Sequence, residues 1–175
     1  VFVMAVIGAV TRLSEAGLSM VDWRPILGWL PPLSQEDWKQ AFAAYKQSPE
    51  FDKKHFWMGL EDFKHIYWLE WLHRIWGRLT GLVYIVPLLV FWLRGMIPKG
   101  HGRALSLLAV LIGVQGVLGW YMVKSGLVER PSVSHYRLAA HLGLAFVIYA
   151  LMIRALVRLS SQPALLWPSG MIVHG

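Results

Sequence analysis

The sequence predicts an all-α membrane protein: a four-helix transmembrane bundle with a truncated first helix and a long outer loop containing short helices. Three observations predict it. Hydrophobic residues make up 56% of the 175, with 10 Trp and a mean hydropathy of +0.47, a composition typical of membrane proteins. Apolar runs recur at about 1–12, 66–93, 104–122 and 135–159, and the last three approach the ~20 residues a helix needs to cross a bilayer. Most fixed charges fall between these runs or at their ends.

Composition also excludes several classes. The absence of cysteine excludes disulfides, a thiolate nucleophile, an iron–sulfur centre and heme attached through Cys. The net charge of +7 does not point to nucleic acid. The basic residues are dispersed, and many flank the apolar runs, where cytoplasm-facing charges belong.

The elements follow in order. Val1 to Val10 is too short to span and has no basic segment before it, so it does not read as a signal peptide. It is expected to be the outer end of a first helix that a longer parent protein completes, closed by Thr11-Arg12. Residues 13–65 form a long loop whose first half is broken by Gly17, Pro25, Gly28, Pro31 and Pro32. Ser34-Gln35-Glu36-Asp37 opens a short helix that reaches about Tyr45. Aromatic residues at 23, 29, 38, 42, 45 and 51 suggest that the loop folds onto the membrane surface as a lid. A solvated amphipathic loop with no chemical role is the alternative.

The second helix is expected from about Ile66 to Leu93, with Pro87 as a candidate kink. The third is expected from about Ala104 to Met122, with Gly113, Gly116 and Gly119 as a smooth stripe for close helix packing. The fourth runs from about His135 to Leu159. Residues 160–175 form a tail without a clear signal.

Charge predicts orientation. The short loop from Arg94 to Arg103 has three basic residues, Arg94, Lys99 and Arg103, and no acid. The 13–65 loop has six basic residues (Arg24, Lys39, Lys46, Lys53, Lys54, Lys64) against eight acids (Glu15, Asp22, Glu36, Asp37, Glu50, Asp52, Glu61, Asp62). The positive-inside rule puts the short loop and the tail on the cytoplasmic or matrix side, and the long loop outside.

Two histidines lie inside apolar runs. His73 is seven residues into the second helix and His141 six residues into the fourth. At about 1.5 Å per residue, both sit roughly 10 Å from the outer ends. Imidazoles at equal depth on parallel helices can approach one heme iron from opposite faces. Gly77 and Gly81 lie on the face of His73 and leave room for a flat macrocycle or for a neighbouring helix. Arg137, four residues before His141, is placed to meet a heme propionate, and Arg74 and Arg78 are further candidates. The structural alternative is a pair of hydrogen-bonded core histidines. His55, His65, His101, His135 and His174 read as surface residues.

Glu70 lies three residues before His73 and shares its helix face. It could orient the imidazole, act on a substrate as acid, base or cation stabiliser, or form a structural salt bridge to Arg74 or Arg137. Spacing does not choose among these.

Several segments carry a resemblance. They are Gly8-Ala-Val-Thr11-Arg12-Leu-Ser-Glu-Ala-Gly17-Leu-Ser-Met-Val-Asp-Trp23, Gly28-Trp-Leu-Pro31-Pro32, Glu70-Trp-Leu-His73-Arg74 with Gly77-Arg78, Gly119-Trp120-Tyr-Met-Val-Lys124-Ser-Gly126-Leu, and Tyr136-Arg137-Leu-Ala-Ala-His141. Together they resemble the heme A synthase family, in the branch shared by mitochondria and many Gram-negative bacteria. The match extends to about Leu159.

The resemblance implies an eight-helix enzyme built from two similar four-helix halves, with 1–159 as the N-terminal half. It implies oxidation of the C8 methyl of heme O to a formyl group, giving heme A for cytochrome oxidase. His73 and His141 match the histidine pair of the first half, as axial ligands of heme O, the substrate. Glu70 matches the acid of a Glu-x-x-His motif thought to be catalytic. A heme b is expected on a second pair, which is absent here, so the chain resembles a fragment. Implied partners are membrane lipid, heme O synthase and an electron donor. The implied location is a bacterial plasma membrane or the mitochondrial inner membrane. A bis-histidine b-type cytochrome and a cofactor-free assembly scaffold are the competing readings. Glu70 beside a ligand favours the enzyme, since an electron carrier needs no acid there.

Overall fold

A computed structural model describes residues 1–21, 29–128 and 134–161. Trp23, Arg24, Pro25, Gly28, His174 and the tail beyond Ser161 lie outside them. The described residues are helical, without strands. They form α1 (Phe2–Leu13), α2 (Gln35–Tyr45), a single wide turn at Phe51–His55, α3 (Leu60–Leu93), α4 (Gly102–Val128) and α5 (His135–Ser160).

Three of these, α3, α4 and α5, are long and apolar enough to cross a membrane. Packing follows a ring: α1 lies on α3, α3 on α4, α4 on α5, and α5 returns to α1. Large apolar side chains point away from this ring, among them Val83, Leu93, Val110, Val117 and Leu156. That inverted pattern belongs to a protein solvated by lipid. The chain is an all-α membrane protein with several membrane-crossing helices.

The loop between α1 and α3 builds a cap. Ser34 and Asp37 close a capping box at the start of α2: the Ser34 hydroxyl accepts from the Asp37 N–H at 3.1 Å, and Asp37 accepts from the Ser34 N–H at 3.0 Å. Trp38, Phe42 and Tyr45 then recur on one face of α2 and are buried there. They meet Phe63, Ile66 and Tyr67 of α3, with Ala16 and Met20 completing the cluster. Tyr45 stacks on Phe63 with centroids 5.2 Å apart, and Trp38 meets Tyr67 edge-on at 5.1 Å. Tyr45 and Phe63 are fully buried, and a buried large apolar side chain contributes about 1.5–3 kcal/mol.

Three sequence expectations change here. Hydropathy starts the second helix near Ile66, but α3 starts at Leu60. The Gly59 N–H donates to Asp62 at 3.0 Å, and the cap buries Phe63 of the added residues. The 34 residues of α3 span roughly 50 Å, well beyond a ~30 Å hydrocarbon core, so its first turns belong to the cap. The third helix also outruns its apolar run and continues to Val128. Finally, Gly113 and Gly116 face open space, with no atom within 4 Å of where a Cβ would stand. The expected glycine stripe therefore makes no close contact except at Gly119. Pro87 sits inside α3 without ending it.

Candidate functional site

His73 is carried by α3 and His141 by α5. The Nδ1 atom of each is buried and has no hydrogen-bond partner. Orphaned buried polar atoms are rare and call for a cause. Each ring also faces a glycine of another helix. A Cβ on Gly8 of α1 would stand 3.1 Å from His73 Cε1, and one on Gly119 of α4 would stand 3.3 Å from His141 Cε1. The missing side chains leave the space that the imidazoles occupy.

A third orphan atom accompanies them. Gln115 of α4 donates its amide N–H to the His141 carbonyl at 3.0 Å, and its Oε1 is buried without a partner. Sequence reasoning passed over Gln115. The available signal was that it is the only side-chain amide in the 104–122 run.

Glu70 is almost fully buried. Its Oε2 accepts from the Ser19 hydroxyl at 2.7 Å and from the Met20 N–H at 2.8 Å. Its Oε1 accepts from Arg74, through Nε at 3.0 Å and also through Nη2. The Nη2 of Arg74 donates in addition to the Met20 carbonyl at 3.0 Å. The ion pair with Arg74, one of the roles left open by spacing, is formed. Glu70 does not hold His73, whose Nδ1 is unpartnered.

The arginines expected near propionates have aromatic neighbours. The guanidinium of Arg78 lies 5.5 Å from the Trp29 ring centroid, and that of Arg137 lies 4.7 Å from the Tyr121 centroid. Such contacts hold a cation at an apolar surface. Trp29 also accepts a hydrogen bond at its carbonyl from Trp71 Nε1 at 3.2 Å, so Trp29 lies against α3 beside Glu70's neighbour in sequence.

Of the histidines read as superficial, His65 and His135 are exposed. His55 is not: only 5% of it is accessible. It sits in the cap against Tyr45, and Lys53-Lys54 beside it gives the local sequence the look of a solvated turn.

With Nδ1 of each ring unpartnered, His73 and His141 are two imidazoles that would fit as the protein ligands of an iron macrocycle. Among the described residues, no group of three or more His, Cys, Asp or Glu gathers to cage a bare metal ion.

The family model described as cytochrome oxidase assembly protein matches residues 1–171. The chain belongs to this family. Similar proteins include the heme A synthase of Rhodospirillum centenum, 52% identical over 165 residues, which are 94% of this chain and 44% of that protein. The heme A synthase of Nitrosospira multiformis is 51% identical over 152 residues, 87% of this chain and 43% of that protein. That of Rickettsia bellii is 49% identical over 158 residues, 90% and 47% respectively. The chain thus spans less than half the length of the curated relatives it matches. No solved structure matches it.

Proposed function

We propose that this chain is the N-terminal, heme-O-binding half of a heme A synthase, an oxidoreductase that converts the C8 methyl of heme O to a formyl group. The observation that carries the reading is the pair of buried, unpartnered imidazole nitrogens of His73 and His141, each seated against a glycine of a neighbouring helix. Two ligands on α3 and α5 would hold the substrate iron within the helix ring. Such an iron supplies a redox-active centre when bound. The names and identities of the relatives support the same reading.

Glu70 is the proposed acidic residue of the site, and its surroundings favour one of its possible roles. Methyl oxidation removes protons and electrons from carbon, and positive charge develops as it does so. A fixed carboxylate in a low-dielectric setting stabilises that charge. Ser19, Met20 and Arg74 already donate to both oxygens of Glu70, so an arriving proton would have to displace a donor. Charge stabilisation therefore suits Glu70 better than proton acceptance. Arg74, Arg78 and Arg137 are proposed to meet the propionates, with Arg74 also fixing Glu70.

The rest of the parent protein is proposed to supply a second histidine pair with heme b. Heme O synthase and an electron donor are the expected partners. A bacterial plasma membrane or the mitochondrial inner membrane is the expected location. Pigment extraction from the purified full-length protein tests the whole reading. Heme O and heme A together are expected; heme b alone would mark an electron carrier.

A further inference from the structure

A second buried polar cluster lies in the cap, outside the histidine pair. Tyr45 is fully buried, Glu50 is 4% exposed and His55 is 5% exposed, whereas the Glu15 side chain is 44% exposed. Tyr45 Oη lies 3.1 Å from Glu50 Oε2 and 2.5 Å from His55 Nδ1. His55 Nε2 lies 3.7 Å from Glu15 Oε2. The four groups therefore form a line from the interior to the surface.

We propose that Glu50, Tyr45, His55 and Glu15 form a proton relay through the cap, carrying protons between the buried Glu50 carboxyl and the surface at Glu15. The inference rests on the proposed heme oxidation for its purpose, but its geometry stands apart from the heme site.

Proton counting supports it. The Tyr45 hydroxyl has one proton and two partners. When it donates to His55 Nδ1, a protonated Glu50 donates to the hydroxyl oxygen, and His55 carries its proton on Nε2, facing Glu15. When it donates to an ionised Glu50, His55 carries its proton on Nδ1. Passing from the first arrangement to the second moves one proton from Glu50 to Tyr45, one from Tyr45 to Nδ1, and one from Nε2 to the Glu15 carboxylate. Each O–H or N–H bond broken is matched by one formed, and one charge is displaced outward. The line resets when Glu15 releases its proton to solvent, Glu50 takes up another from the interior, and the imidazole gives up its Nδ1 proton and takes one at Nε2. Donor–acceptor separations of about 2.6–3.2 Å suit such transfer. The outermost separation is longer at 3.7 Å, so that step requires a small movement of the half-exposed Glu15 side chain.

The charged surroundings place both forms of Glu50 within reach near neutrality. Burial raises its carboxyl to about 7, and the charges of Glu70 and Glu15 add to this, while Tyr45 and Lys54 oppose it. Lys54 contacts Glu15 directly, and Arg12 adds a further positive charge near it. Glu70 is the acid on α3 whose charge Glu50 and Tyr45 feel. Because donors occupy both of its own oxygens, a proton released nearby needs a different acceptor, and Glu50 is the other buried carboxyl among the described residues.

Two measurements on the purified full-length enzyme test the relay. Infrared spectra of wild type and Glu50→Gln should reveal a protonated-carboxyl band that fades as pH rises between about 5 and 8 and is missing from the variant. No such band in the wild type overturns the relay, whatever hemes are bound. Tyr45→Phe keeps the ring stacked on Phe63 and deletes the hydroxyl. It should retain bound heme, lose roughly tenfold in heme A formation, show a larger solvent deuterium isotope effect, and recover with added acetate as a small proton carrier. An unchanged rate and isotope effect, or a loss that acetate does not restore, overturns the relay. A wild type that makes no heme A overturns the functional reading instead, and the infrared result still decides whether the line exchanges protons.

Discussion

Glu70 and Arg74, one helical turn apart on α3, grip opposite sides of the same residue: Met20 gives its N–H to Glu70, and its carbonyl accepts from Arg74. The pair is nearly inaccessible, with 3% and 7% of the side chains exposed. It ties the segment after α1 to the helix that carries His73, three residues beyond Glu70. The charge proposed to act at the site thus also holds the segment after α1 against α3.

Glu70→Gln should therefore have two effects. Whichever way the amide is turned, its NH2 group faces a donor, either Arg74 or the Ser19 and Met20 groups. Removing one member of a buried ion pair costs about 3–5 kcal/mol, so the melting temperature should fall. Heme A formed per bound heme should fall as well, by roughly a hundredfold if the carboxylate stabilises developing charge. Ser19→Ala removes one donor and keeps the charge. It should cost about 1.5–3 kcal/mol and leave product per bound heme near normal. Near-normal product per heme in Glu70→Gln would end the electrostatic role.

Local patterns in the sequence carried part of this arrangement. Ser34 and Asp37 marked the start of α2, and the apolar runs marked the membrane helices. The start of α3 was less legible, because hydropathy begins near Ile66 while Asp62 and the aromatic cap extend the helix back to Leu60. The anchoring of Glu70 was not legible at all, since Ser19 and Met20 lie 51 and 50 residues away in sequence. His55 was misread for a related reason: Tyr45, ten residues earlier, buries it from another element. Contacts made across the fold leave no periodic trace.

The orientation is open to direct labelling. A cysteine introduced at Lys99, between α3 and α4, should react with impermeant maleimide only from the cytoplasmic or matrix side. One at Lys46, at the end of α2, should react only from the outside. The reverse pattern would overturn the orientation without touching the histidine pair.

The stability of the cap should depend on pH through Glu50 and His55. Burial raises Glu50 to about 7 from an ordinary 4.5, so the folded cap holds a proton that the unfolded chain has already released. That contribution is complete below about pH 4.5 and is lost as pH rises through 7. Burial lowers His55 below 6.5, so its contribution is present above that value and is lost as pH falls. Glu50→Gln removes the first effect alone. Hydrogen exchange of the α2 amides should show wild type losing protection relative to Glu50→Gln between about pH 5 and 8. A pH-independent difference would mean that Glu50 is ionised throughout.

The glycines beside the two imidazoles offer the sharpest test of the site. At Gly8 and Gly119 a Cβ would stand 3.1 and 3.3 Å from the Cε1 atoms of His73 and His141, tighter than ordinary van der Waals contact. Valine there adds two further methyls and must push the ring aside. Axial ligation depends on ring direction, so a displaced imidazole should lose iron even where the helix persists. Gly8→Val and Gly119→Val should each reduce bound heme several-fold while helical content by circular dichroism stays near wild type. Gly113→Ala is the control. Nothing lies within 4 Å of the added Cβ, and exchanging Gly for Ala inside a helix stabilises it by about 1 kcal/mol, so bound heme should not change. Equal heme content in all three variants would mean that the rings do not ligate, and that their unpartnered nitrogens have some other cause.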